Sequence, residues 1–364
     1  MLASVYGRQW NNTTPEYAFR KNLLHADLAC MNNNPQEALR LYKKESRTNP
    51  IARRRLNIAN KQNRRILNNN GGIMDDNLIK LGFIDWYHGY ERDIQPLIAS
   101  LFRKAEITIE LSDVIDADIL VAGGYKQELI NNDCLSTDKL VLFVSGENIS
   151  PAYNYHDCSM TTRHSSFYGK NIRLPQWYGE IKFGSMDFNE TTNKLPREPR
   201  SRDLLFTAIY NNSTPEREAI IATLRNTFGA NSIHVYGSQR GKNIDKMDIL
   251  SNSVVNICFE NSIGDGYTTE KLFHSKMMGC KSLYWGDGSY ELDFTSKDVH
   301  NVKTASCLEE TIKWCERSIA SSGYYQFRGS KIPDEIFTRR PSIKKILVFM
   351  RSWANIVLCW RGYN

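Results

Sequence analysis

Apolar and polar positions alternate differently on the two sides of residue 78. Before it, EYAFRKNLLHADLACM and PQEALRLYKKES read as two helices between Tyr17 and Lys44, and the Asn/Gly-rich NNNGGIMDDN that follows at 68–77 reads as a linker. After it, short apolar runs predict strands: LIKLGFIDWY, ITIELS, ADILVAGG and LVLFVSG, with IQPLIASLFRKA as a helix among them. A polar stretch with two prolines, ETTNKLPREPRSRD at 190–203, reads as a second linker. Beyond it DLLFTAIY, SIHVYG, SVVNICFE and KSLYWG predict strands. They alternate with the helices PEREAIIATLRNTFG, KMDILSN and TTEKLFHSKMMG, and Gly229 and Gly279 are placed to end the first and last of these. The tail, PSIKKILVFMRSWANIVLCW, predicts a basic, apolar helix packed on the body.

Strands alternating with helices predict βαβ units and parallel sheets. The expected class is therefore α/β, with two Rossmann-like, doubly wound domains. The expected division is a basic helical extension with linker at 1–77, a first domain at 78–198, a second at 199–325 and a helical tail at 326–364. The 364 residues, 41% hydrophobic and 24% charged, suit two domains with real cores and exclude fibrous, disordered and multi-span membrane classes. No apolar run approaches the ~18 residues of a spanning helix. The opening MLASVYGRQWNN lacks the apolar core of a secretion signal. Eight scattered cysteines form no C-x-x-C pair and read as reduced core residues, which fits a cytoplasmic location.

Charge changes this picture at one place. Residues 36–66 hold ten Lys/Arg and two Glu, a net of +8, against +7 for the whole chain. The basic character thus belongs to the N-terminal segment. It reads either as a solvated basic helix or as a face, shared with the basic tail, for peripheral contact with the inner side of a membrane. Nucleic acid is not an expected partner.

The densest chemistry lies at 259–271, FENSIGDGYTTEK. An apolar strand runs into a Gly-containing loop and then a helix, whose free N–H groups and dipole suit an anion. Lys271 adds a full charge, and Glu270 suits sugar hydroxyls. The spacing matches neither G-x-G-x-x-G nor a Walker A motif. Glu147, after LVLFVSG, is expected at the C-terminal end of a strand, where open α/β sheets bind ligands. Arg217 is expected on the first turns of a helix near Pro215, where its fork could engage phosphate. Asp116-Ala117-Asp118 has D-x-D form but stands apart from these motifs, so no metal site is assigned. His156 and His164 beside Asp157 read as structural or acceptor-lining residues.

FENSIGDGYTTEKLFHSKMMGCKSLYWGD resembles the signature of the α1,3/4-fucosyltransferases, glycosyltransferase family 10. SGENISPAYNYHDCSM…IRLPQWYG, TAIYNNSTPEREAIIATL and LGFIDWYHGY resemble further family segments in family order, over roughly residues 78 to 300. The resemblance implies a GT-B fold, with two Rossmann-like domains facing across a cleft. The first would take the acceptor and the second the GDP-sugar. It implies an inverting transfer of fucose from GDP-fucose to a GlcNAc- or galactose-containing glycan, α1,3-linked, the acceptor being an oligosaccharide or a lipid-linked glycan. It further implies Glu147 as general base, Arg217 and Lys271 on the diphosphate, and Asn261, Tyr267 and Glu270 lining the donor pocket. No cofactor is implied, and Mg2+ would be at most stimulatory. The alternatives are another nucleotide-deoxysugar donor and a noncatalytic glycan-binding protein of the same fold.

Overall fold

The computed structural model describes residues 15–32, 34–68, 78–86, 90–125, 138–153, 155–167, 169–181, 201–237, 245–323 and 332–360. The runs 68–77 and 190–203 read as linkers lie largely outside these, as does Cys134. The chain forms two compact units. One comprises 1–145, 149–174 and 343–364; the other comprises 146–148 and 175–342.

The first unit opens with three helices, α1 (Pro15–Met31), α2 (Pro35–Glu45) and α3 (Pro50–Asn68). The sheet follows: β1 (Leu78–Ile84), α4 (Tyr90–Lys104), β2 (Thr108–Leu111), β3 (Ile119–Ala122), β4 (Leu140–Ser145), β5 (Cys158–Thr161) and β6 (Asn171–Arg173). Its six strands are parallel and ordered β2-β1-β3-β4-β5-β6. Every residue of β3, β4 and β5 is buried, as expected of a parallel sheet covered on both faces. The final helix, α9 (Lys344–Cys359), packs against α1, α3, α4 and β1 of this unit. Ile346, Phe349, Met350, Trp353, Ala354, Ile356 and Val357 bury its apolar face. The tail therefore spends that face on the body, and among the described residues no helix is long and apolar enough to cross a membrane.

The basic segment departs from expectation. It is not a solvated helix standing outside the fold. Arg54 and Arg55 of α3 are 7% and 1% exposed and carry their guanidinium groups inward. Arg54 donates to Asp157 and to the Tyr155 carbonyl (2.9 Å); Arg55 Nη1 stands 2.9 Å from Asp157 Oδ1, and its Nε donates to Asp27 (3.1 Å). Tyr42 donates to the same Asp27, and the Arg55 guanidinium lies 5.4 Å over the Trp353 ring. The sequence pattern marks these arginines only as charge, whereas the acids that draw them in are distant in the chain. Lys43, Lys44, Arg47 and Arg53 stay exposed.

The second unit contains β7 (Leu204–Ile209), α5 (Pro215–Phe228), β8 (Ile233–Tyr236), α6 (Lys246–Ser251), β9 (Ser253–Phe259), α7 (Glu270–Met277), β10 (Lys281–Trp285), β11 (Val299–Asn301) and α8 (Leu308–Ala320). Its five parallel strands are ordered β11-β10-β9-β7-β8. Counted within each unit, both sheets begin 2-1-3-4-5, the flavodoxin-like variant of the doubly wound order rather than the 3-2-1 arrangement. Gly229 and Gly279, at φ 100° and 66°, follow α5 and α7 as predicted. In such sheets ligands bind where strand order reverses, outside the carboxyl ends. In this unit that point lies between β7 and β9.

Candidate functional site

The residues singled out from sequence gather at that reversal point. Arg217 follows β7, on the first turn of α5. Asn261, Tyr267, Glu270 and Lys271 follow β9. Glu147 follows β4 in the chain, yet 146–148 group with the second unit rather than with the stretch 78–198 expected to hold them. Three hydrogen bonds account for this. Tyr267 Oη donates to Glu147 Oε2 at 2.7 Å, and Asn148 Nδ2 donates to Ser262 Oγ (3.1 Å) and to the Ile263 carbonyl (3.0 Å). Tyr267 is 1% exposed, and burial together with the neighbouring Glu147 charge pushes its phenol well up. It therefore remains a donor, and its hydroxyl holds the Glu147 carboxylate.

Gly264 is what allows the loop to lie this close. A Cβ there would sit 2.1 Å from Asn148 Oδ1, while two hydrogen bonds hold the Asn148 amide in place. Gly264→Ala is expected to push Asn148 off the loop, destabilising the protein by about 1–3 kcal/mol as other overpacked sites do. A thermal melt reads the loss.

The helix N-terminus differs from expectation in one respect. The chain itself caps one of its N–H groups, that of Lys271, and fixes the capping residue from behind. Glu260, fully buried, accepts from Thr269 N (2.8 Å) and Thr269 Oγ1 (2.7 Å). Thr269 Oγ1 in turn accepts from Lys271 N at 3.4 Å. What the loop offers an anion is side-chain charge. Lys271 Nζ lies 3.4 Å from Glu260 Oε2 and 3.9 Å from Glu270 Oε1. Burial works to lower its pKa, but those two carboxylates outweigh it and hold the ammonium above its ordinary value. The two acids are driven apart. Burial raises Glu260, whereas at Glu270 burial is outweighed by Lys271 and Lys246, which hold its carboxyl at about 2.

Arg217 is 1% exposed and spends its fork on the chain. Nη1 donates to the Asn212 carbonyl, and Nη2 donates to the Phe259 carbonyl at 2.7 Å and lies 3.5 Å from Asn261 Oδ1. The guanidinium stacks 4.5 Å over the Tyr210 ring. It thereby clamps the ends of β7 and β9 together and brings its charge to Asn261.

Three groups escaped sequence reading. Glu260 was legible only as part of F-E-N, and a buried strand-end acid gives no further sign. Lys246 enters from α6 and His274 from the next turn of α7, four residues after Glu270. Of the D-x-D acids, Asp118 serves the fold: it is 1% exposed and accepts from Gln62 Nε2 (2.8 Å) and Lys80 N (2.9 Å), whereas Asp116 is exposed. His156 Nδ1 accepts from Ala152 N (2.9 Å), and Asp157 is held by the two arginines. Both are structural. Among the described residues no group of three or more His, Cys, Asp or Glu is disposed to hold a metal ion.

Two doubly wound parallel sheets make up an α/β fold of the GT-B kind. Solved structures of an alpha1,3-fucosyltransferase share it. One superposes with a TM-score of 0.58 at 20% identity, and one with GDP-fucose at 0.56 and 20%. Each match covers 78% of this chain and 92% of that one. Residues 81–179 match the family described as the Alpha-(1,3)-fucosyltransferase FucT N-terminal domain. The Helicobacter pylori Alpha-(1,3)-fucosyltransferase FucT is 26% identical over 250 residues, 58% of this chain. The chain spans about half, 52%, of that relative's length. Sequence and fold thus both resemble the α1,3/4-fucosyltransferases.

Proposed function

We propose that the chain is an inverting fucosyltransferase that moves fucose from GDP-fucose to a hydroxyl of a GlcNAc- or galactose-containing glycan. The observation that carries this is the 2.7 Å hydrogen bond joining Glu147 to Tyr267, on the loop that leads into the helix carrying Lys271. One carboxylate and one cationic loop are what a single displacement requires. Glu147 takes the acceptor hydroxyl's proton, and the acceptor oxygen forms its bond to the anomeric carbon. The bond from that carbon to the diphosphate breaks, and GDP leaves with the electron pair. Lys271 and Arg217 stabilise the charge that builds on the diphosphate. Asn261, Tyr267 and Glu270 shape the donor pocket. The reading requires no cofactor, and Mg2+ is at most stimulatory in it.

Calorimetric titration with GDP, UDP and CMP, then GDP-fucose, tests the donor, and an acceptor screen with GDP-fucose tests transfer. Selective GDP binding with fucosyl transfer supports the reading. Preference for UDP or CMP rejects GDP-fucose as donor, and GDP binding without turnover of any nucleotide sugar favours a noncatalytic glycan-binding protein. Lys271→Met is expected to weaken GDP about 10-fold or more, the worth of one charge-assisted hydrogen bond. An unchanged dissociation constant would remove Lys271 from the phosphate site.

A further inference from the structure

Lys246 begins α6, a short helix fixed by Asp245 as its cap and by buried Met247 and Leu250. Its ammonium stands 3.8 Å from Glu270 Oε1, the same oxygen that Lys271 approaches at 3.9 Å. Among the described residues, Glu270 Oε2 is buried without a hydrogen-bond partner. Two cations thus draw one oxygen of the carboxylate and leave the other without a donor. An acceptor so placed costs free energy until something donates to it. Glu270 keeps 23% of its side chain exposed, so the residue borders solvent although Oε2 itself is covered. The other neighbours of this carboxylate do not replace Lys246. Glu260 repels it, and His274, buried and 3.3 Å from Glu180, is held below its ordinary pKa by burial and by Lys246 itself.

We infer that Lys246 is a positioning residue, which holds the Glu270 carboxylate turned so that its second oxygen receives the hydroxyls of the donor sugar. The inference rests on the donor reading above. A lysine serving only as a phosphate contact would act on the diphosphate, and one serving only the fold would act on stability. A positioning lysine acts on the sugar alone.

The test is calorimetric titration of the full chain and its variants with GDP and with GDP-fucose, alongside thermal melts. Lys246→Met is expected to weaken GDP-fucose about 10-fold, the scale of one charge-assisted hydrogen bond, and to leave GDP within about 2-fold. Lys246→Arg should restore most of the loss. In a Glu270→Gln background, Lys246→Met should add nothing further. Equal weakening of both ligands, unaltered GDP-fucose affinity or additive losses with Glu270→Gln would each overturn the inference while the donor reading stood. A parent chain that binds neither nucleotide would overturn both. Should Lys246→Met fail to fold, the Arg variant and Glu270→Gln carry the comparison: Arg must bind GDP-fucose near the parent affinity, and Gln must lose it selectively.

Discussion

Glu147→Gln is expected to abolish fucosyl transfer while GDP still binds. A positioned general base contributes typically ~10^2–10^4-fold to a rate, so turnover should fall by about that range. The amide is nearly isosteric and still accepts from Tyr267, so the loop at 261–269 should keep its shape. Near-parent GDP affinity is the measurement that separates lost chemistry from a lost site, since Arg217 and Lys271 are untouched. A variant retaining most of its turnover would show that another group takes the proton.

The largest expected effect on stability lies far from that chemistry, at Asp157. It is fully buried, and its carboxylate faces two guanidinium groups while also accepting from Val141 N at 2.7 Å. Asp157→Asn leaves Arg54 and Arg55 in the interior with less than their charge in partners. Breaking a buried pair from one side costs about 3–5 kcal/mol, because the remaining charge is stranded. Urea unfolding should show that loss, and a change below ~1 kcal/mol would mean the arginines find water instead. The same group sets an acid limit. Burial raises its pKa, but Arg54, Arg55 and the Val141 N–H outweigh this and depress it below the ordinary value. A depressed acid contributes its full stability above the unfolded value of about 4 and loses it as pH falls through the folded one. The parent should therefore lose more stability than Asp157→Asn does on acidification below about pH 4.

Much of the fold was legible because it is local. Apolar runs such as LVLFVSG and SVVNICFE have no polar alternation, which fits strands covered on both faces, and they are β4 and β9. Gly229 and Gly279 marked helix ends because the backbone there takes positive φ, which glycine adopts freely. What was not legible depends on distance. CSMT and NIR, the short strands β5 and β6, carry too few apolar residues to stand out. Arg54 and Arg55 look like any surface arginine until Asp27 and Asp157 are brought to them. At the site the motif gave the residues but not their partners. The helix N-terminus expected to be free is capped by Thr269, which Glu260 holds in place, and Glu147 belongs with the loop it bonds rather than with the strand it follows.

The make-up of the first unit has a consequence for the order in which the protein is built. That unit needs α9, at 344–359, for the wall against which α1, α3, α4 and β1 pack. Synthesis runs from the N-terminus, and domains generally fold as they emerge. Here the second unit's run of 175–342 is complete before the ribosome delivers the helix that closes the first. The half of the chain made first is thus finished last, and until then the seat of Trp353 and Trp360 beneath the N-terminal helices lies open.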